Sequence, residues 1–179
     1  KVKHYYTEPY PYAFQNVVVI GSSNSSVDAA LEIYRKGGNV TMIIRSNEIS
    51  KSVKYWVKPD IENRIKEGSI KAFFGAELLE VKDQSVVFKT KKKEIHEVEN
   101  DFVLAMTGYL PDFEFLKNMG INLKGECLNP HYNNETMESN VEGIYLAGVV
   151  CGGKDTHLWF LENSRIPAKQ IIKDILDKA

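Results

Sequence analysis

The run Val17-Val18-Val19-Ile20 has no polar residue to turn toward water. Four β-branched apolar residues in a row predict a strand covered on both faces, as in a parallel sheet between other layers. The run leads straight into Gly21-Ser22-Ser23-Asn24, a tight polar turn. Ser25–Lys36 follows, with Val27, Ala30, Leu31 and Tyr34 at helical spacing, and Gly37-Gly38 stops it. Asn39–Arg45, carrying Val40, Met42, Ile43 and Ile44, predicts a second buried strand. Strand, turn, helix and strand in about 30 residues make a βαβ unit. The fold class is therefore α/β with parallel pairing.

The segments around this unit have other textures. Lys1–Gln15 is rich in Tyr and Pro and reads as a connector. Ser46–Lys58 is a longer connection that holds Lys51, Lys54 and Trp56, and Pro59 suits the first turn of a helix near Asp60–Glu67. Short strands are predicted at Ile70–Phe74, Glu77–Lys82, Ser85–Lys89 and Glu94–Val98, grouped as a hairpin meander. Asp101–Ala105 is another buried strand, stopping at Thr107-Gly108-Tyr109-Leu110-Pro111. Beyond it come a short helix at Phe113–Met119, a loop-like stretch to Asn140 and an apolar strand at Gly143–Val150. A last helix carries Ile166, Ile171, Ile172 and Ile175 as its apolar stripe, with a start or kink at Pro167.

Composition excludes several classes of function. A formal net charge of -1 gives no general pull toward nucleic acid or an anionic membrane. Lys91-Lys92-Lys93, followed by Glu94, Glu97 and Glu99, reads as a solvated hairpin turn. No apolar run approaches the roughly 20 residues that span a bilayer. Cys127 and Cys151 are too far apart for a CxxC pair or a zinc pattern. So few cysteines suit the reducing cytoplasm. His4, His96, His131 and His157 lack metal-ligand spacing, so no metal and no catalytic histidine is expected. Cys151 reads as a structural thiol.

The turn after the first strand carries the chemistry. A strand feeding a glycine turn into a helix aims backbone N–H groups and the positive helix end at one point, which suits a pyrophosphate. Against G-x-G-x-x-G/A, Gly21 fills the first position, while Ser23 and Ser26 stand at the second and third. Both serines are small enough for close approach and helix packing, and Ser22, Ser23 and Ser25 can add hydroxyl bonds. The competing reading is a plain βα turn with serine as the helix N-cap. Context favours a Rossmann-like dinucleotide site formed by Gly21, Ser22, Ser23, Asn24 and Ser25. An NAD site usually has an acidic residue at the end of the second strand. This chain has Arg45-Ser46 there, and a guanidinium matches a 2′-phosphate. The expected cofactor is NADPH, with Lys51 and Lys54 as added charge. The alternatives are a surface ion pair for Arg45 and a solvated loop for the lysines.

Together these pieces resemble the thioredoxin-reductase-like flavoproteins. Val17–Ala30 is similar to that family's V-V-I-G-G-G-N-S-A-V-D-A-A stretch, and Phe102–Pro111 to the strand leading out of its NADPH domain. Thr136–Gly148 is similar to its second FAD motif, T-x-x-x-x-V-x-G-I-Y-A-x-G-D. Three further segments, Lys1–Tyr5, Val53–Pro59 and Glu162–Arg165, resemble the bacillithiol disulfide reductase branch. The departures are specific. No CxxC occurs in Tyr6–Tyr12, so reduction of thioredoxin by a local dithiol is not expected, and Val149 replaces the motif's terminal Asp.

The resemblance implies two parts. Residues 16–108 would be the NADPH-binding domain with its β-meander crossover. Residues 109–179 would be the C-terminal portion of a Rossmann-like FAD-binding domain. Gly108 would let the nicotinamide side approach the backbone, and Gly148, Val149 and Val150 would lie at the flavin. Because the family's first FAD turn is not found ahead of Lys1, the chain is expected to be the C-terminal part of the enzyme, binding FAD weakly alone. The implied activity passes hydride from NADPH to FAD and on to a small-molecule or small-protein disulfide, with a homo-oligomer among the open states. The alternatives are a ferredoxin- or flavodoxin-NADP reductase of the same architecture and a nucleotide-binding module without turnover.

Overall fold

The computed structural model describes residues 1–156, 158–159 and 162–179. In chain order its elements are β1 (Val2–Lys3), β2 (Asn16–Ile20), α1 (Asn24–Arg35), β3 (Asn39–Ile44), α2 (Lys58–Lys66), β4 (Lys71–Phe74), β5 (Glu77–Val81), β6 (Ser85–Lys89), β7 (Ile95–Glu99), β8 (Phe102–Ala105), α3 (Phe113–Asn118), β9 (Leu123–Lys124), β10 (Asn129–Pro130) and α4 (Arg165–Lys178). They fall into two compact units, Lys1–Thr107 and Gly108–Ala179.

The first unit is three layers deep. β1-β8-β2-β3-β4 form an all-parallel sheet in that order. Alternation along β2 explains its unbroken apolar run. Val17 and Val19 pack with Val27, Ala30, Leu31 and Ile33 of α1 and Ile61 of α2. Val18 points the other way, with Ile43 and Val103, onto Val86 and Phe88 of β6. A strand sealed on both sides needs apolar residues at every position. The third layer is the antiparallel meander β5-β6-β7, whose Thr90–Lys93 turn is closed by Lys93 N–H on the Thr90 carbonyl at 2.8 Å.

Two expectations change here. Ile70–Phe74 does not belong to the meander: Lys71–Phe74 is β4, paired with β3 in the parallel sheet. The run is too short for periodicity to choose a partner, whereas β3–α2–β4 is a second strand–helix–strand crossover. The opening segment does more than connect. Val2 and Lys3 pair with β8, and Tyr12 is buried edge-on against Phe102.

The second unit is lighter in regular structure. β9 and β10 form a two-stranded ladder, and Leu116, Ile121, Met137, Leu146 and Cys151 make its core. No strand runs over Gly143–Val150 among the described residues. Tyr145 makes a single bridge with Glu138, and Gly148–Gly152 turns into a 3-10 helix. Apolar content alone does not make a strand; a ladder does, and here the backbone pairs only locally with residues 137–139. α4 begins as Pro167 allows, with that residue buried in the first turn. Of its expected stripe only Ile171 packs into this unit's core, while Ile166, Ile172 and Ile175 are exposed. No described helix is long and apolar enough to cross a membrane.

A charge cluster anchors α4. Lys178 Nζ bridges Glu138 and Asp174, the latter at 2.7 Å, and Tyr145 donates its hydroxyl to Asp174 at 2.6 Å. Lys178 holds both carboxyls below the usual carboxylate range. Carboxyls depressed by folding stabilise the native state above their ordinary pKa, and that stability is lost as pH falls through the lowered values. In thermal unfolding across a pH series, the Tm deficit of Lys178→Met should be largest above about pH 5 and shrink toward about pH 2, given ordinary values near 4. A deficit that does not vary with pH would contradict the charge role.

Candidate functional site

The carboxyl ends of β8, β2 and β3 lie side by side, and Gly21 ties them together. Its N–H donates to the Ile43 carbonyl at 3.1 Å. On its other side there is no room: a Cβ on Gly21 would stand 2.5 Å from the Met106 carbonyl oxygen. Its φ of +128° is also one that L side chains rarely adopt. The third motif position behaves as a small residue must. Ser26 is fully buried where α1 meets β2, with its hydroxyl on the Ser23 carbonyl at 2.7 Å. Ser23 has an ordinary φ of -95° and is exposed, so nothing there demands glycine.

α1 opens at this point. Ser23 is the N-cap residue, as the plain-turn reading has it, but supplies no side-chain cap. The first-turn N–H groups therefore stay available for an anion. Ser22 and Ser46 are brought together from two different strand ends, their hydroxyl oxygens 3.3 Å apart. Ser46 gives its hydrogen to the Glu48 carbonyl at 2.7 Å, which leaves its oxygen to accept from Ser22. Arg45 is exposed at the end of β3, and among the described residues no carboxylate pairs with its guanidinium.

The other candidates divide. Ser25 is exposed on the first turn of α1, and Lys51 is exposed in the connection after β3. Lys54 is partnered, its ammonium 3.2 Å from Asp28. Asn24 turns its side chain to that same connection, bonding the Ser52 carbonyl and the Lys54 N–H. This clamp was not legible in the sequence, because the residues it joins are about 30 positions apart. Gly108 has a φ of +88°, and none of the described residues lies within 4 Å of the place of a Cβ. In the second unit Gly148 has a φ of +79°, Val149 is exposed and Val150 partly so. His157 lies outside the described residues.

The two cysteines are both free thiols. Cys151 is buried, and burial pushes its thiol up to about 11. Cys127 is half-buried, and its bond to the Asp155 carboxylate raises its pKa as well. Neither has the lowered pKa of a redox nucleophile.

A parallel sheet with a glycine turn feeding a helix at the strands' carboxyl ends is the architecture of a dinucleotide-binding fold. The model of the pyridine nucleotide-disulphide oxidoreductases matches residues 1–148, and the chain belongs to that family. It is 45% identical over 175 residues to the bacilliredoxin reductase Bdr of Bacillus subtilis (strain 168), a match covering 98% of this chain and 54% of that protein. The solved bacillithiol disulfide reductase Bdr (YpdA) from Bacillus cereus superimposes with a TM-score of 0.95 at 40% identity, over 99% of this chain and 55% of that one. A thioredoxin reductase from T. acidophilum, 23% identical, shares the fold with a TM-score of 0.71 over 94% of this chain and 55% of that one. The chain thus spans about half the length of these relatives.

Two outcomes follow from this geometry. Gly21→Ala should destabilise the first unit by roughly 1–3 kcal/mol from backbone strain, with a further loss from the Met106 contact; a denaturant titration at wild-type stability would contradict it. In timed alkylation at pH 8 read by mass spectrometry, Cys127 should label well before Cys151, and the reverse order would show that the Cys151 thiol is not sequestered.

Proposed function

We propose that the chain carries the NADPH-binding domain (residues 16–108) and the C-terminal part of the FAD-binding domain (residues 109–179) of a disulfide reductase. Its hydride would pass from NADPH to FAD and on to a low-molecular-weight thiol disulfide. One observation carries the nucleotide assignment: the first turn of α1 has no side-chain cap, and the turn before it brings Ser22 to Ser46, next in sequence to Arg45, which has no ion pair among the described residues. The relatives named for bacillithiol and bacilliredoxin support the disulfide acceptor. The absence of CxxC from Tyr6–Tyr12 argues against a dithiol relay in that segment. Two free thiols suit a reducing cytoplasm.

When bound, the nicotinamide supplies a hydride and the flavin relays it. The chain's own residues bind and orient. The amides after Gly21 would hold the pyrophosphate, with Ser22, Ser23 and Ser25 adding hydroxyl bonds. Arg45, Ser46 and Lys51 would take the 2′-phosphate, the guanidinium through paired N–H donors. Lys54, held by Asp28, would contribute field rather than contact. Gly108, two residues past Met106, would present bare backbone to the nicotinamide. At the flavin, Val149 in place of Asp leaves no carboxylate, so backbone amides from Gly148 to Val150 would make the contact. Among the described residues, a Cβ on Gly148 would have only Ser164 Oγ within 4 Å, at 3.8 Å.

Equilibrium binding of NADPH and NADH to wild type and Arg45→Ala tests the cofactor assignment. Charge-assisted hydrogen bonds contribute about 1.5–3 kcal/mol. Arg45→Ala should therefore weaken NADPH about 10- to 100-fold and leave NADH within about twofold. Unchanged discrimination would remove the basis for choosing NADPH.

A further inference from the structure

Asn24 stands in the middle of the dinucleotide turn, where a side chain would be expected to face the cofactor. Both of its polar atoms are used elsewhere. Its amide nitrogen donates to the Ser52 carbonyl at 3.0 Å, and its oxygen accepts from the Lys54 N–H at 3.0 Å. The same connection meets the turn once more, through Ser50 N–H on the Ser22 carbonyl at 3.0 Å. Between these anchors the chain reverses, with Val53 N–H on the Ser50 carbonyl at 3.2 Å. Lys51 and Ser52 are the exposed residues in that reversal, and Lys51 is its cation. Ile49 and Val53 on either side are buried at 3% and 4% exposure, so the loop cannot roll to hide it.

Three hydrogen bonds thus hold the backbone around Lys51 against the turn, and Asn24 makes two of them. Lys54 is paired with Asp28 at 3.2 Å, whereas Lys51 has no ion pair among the described residues. We infer that Asn24 is a positioning residue that confers preference for a 2′-phosphate by fixing Lys51 beside the turn, without itself touching the cofactor. The inference rests on the NADPH reading above. Its physical basis is distance. Attraction between a lysine ammonium and a phosphate falls with separation and with salt, and a lysine on a loosened loop spreads its charge over a larger volume.

The consequence separates two roles for Asn24. A residue bonded to the pyrophosphate would serve NADPH and NADH alike, whereas one acting through Lys51 serves only NADPH. The test uses the full chain as wild type, Asn24→Ala, Lys51→Ala and the double variant, with NADPH and NADH binding measured at about 50 mM salt, where such charge effects are large. Asn24→Ala should weaken NADPH by about five- to tenfold and NADH by less than about twofold, with Lys51→Ala doing the same. The double variant should be no weaker than Lys51→Ala, as expected for two residues acting through one contact. Equal losses for both nucleotides, no loss, or additive losses in the double variant would overturn the inference. Wild type binding both nucleotides alike would overturn the NADPH reading first, and this inference with it. Should Asn24→Ala not fold, Asn24→Ser keeps a polar helix start but is too short to reach both partners, and it is judged by the same NADPH-against-NADH comparison.

Discussion

β2 lies between β8 and β3 with its faces sealed by α1 on one side and β6 on the other. Every other feature of the first unit is referred to that strand. Its hydrogen-bond ladder sets the register of both neighbours, from Val17 against Val40 and Phe102 to Ile20 against Ile43 and Ala105. Because all three strands run the same way, their carboxyl ends open together at one edge. The polypeptide leaves β2 there and turns at once into α1. A parallel sheet built this way gathers the backbone amides of a helix start and the side chains at the neighbouring strand's end without needing a buried charge.

What the sequence discloses of this arrangement follows from periodicity. The unbroken valines of β2, the helical spacing of Val27, Ala30 and Leu31, and the stop at Gly37-Gly38 are local signals, and the elements form within a residue or two of where those signals lie. β4 was misplaced because Lys71–Phe74 is four residues long, and a run that short cannot say whether its partner is the parallel sheet or the meander. The Gly143–Val150 segment was misread for a related reason. Its apolar content is real, but strand structure is a property of a neighbour, which no single segment records. The same limit covers α4, whose apolar residues were legible as a stripe while their exposure was not.

The candidate site divides along similar lines. Gly21, Ser22, Arg45 and Ser46 could be proposed from position in the βαβ unit, since such units place turn and strand end together. The occupation of Asn24 by the 50–54 connection could not, nor could the pairing of Lys54 with Asp28. Both depend on how a connection of more than ten residues lies back over α1. Two lysines three positions apart are equivalent in sequence and unequal in the fold: both are exposed, but among the described residues only Lys54 is paired with a carboxylate.

The three glycine positions of the dinucleotide turn carry unequal steric loads. Only the first meets an oxygen wall and a forbidden backbone angle. The second lies open to water, and the third accepts any side chain small enough for the helix to settle on its strand. Glycine is therefore required at one position out of three and smallness at another, and motif searches demanding glycine at each would pass over chains built like this one. A pattern weighted on the first glycine, and on mere smallness at the third, would recover them.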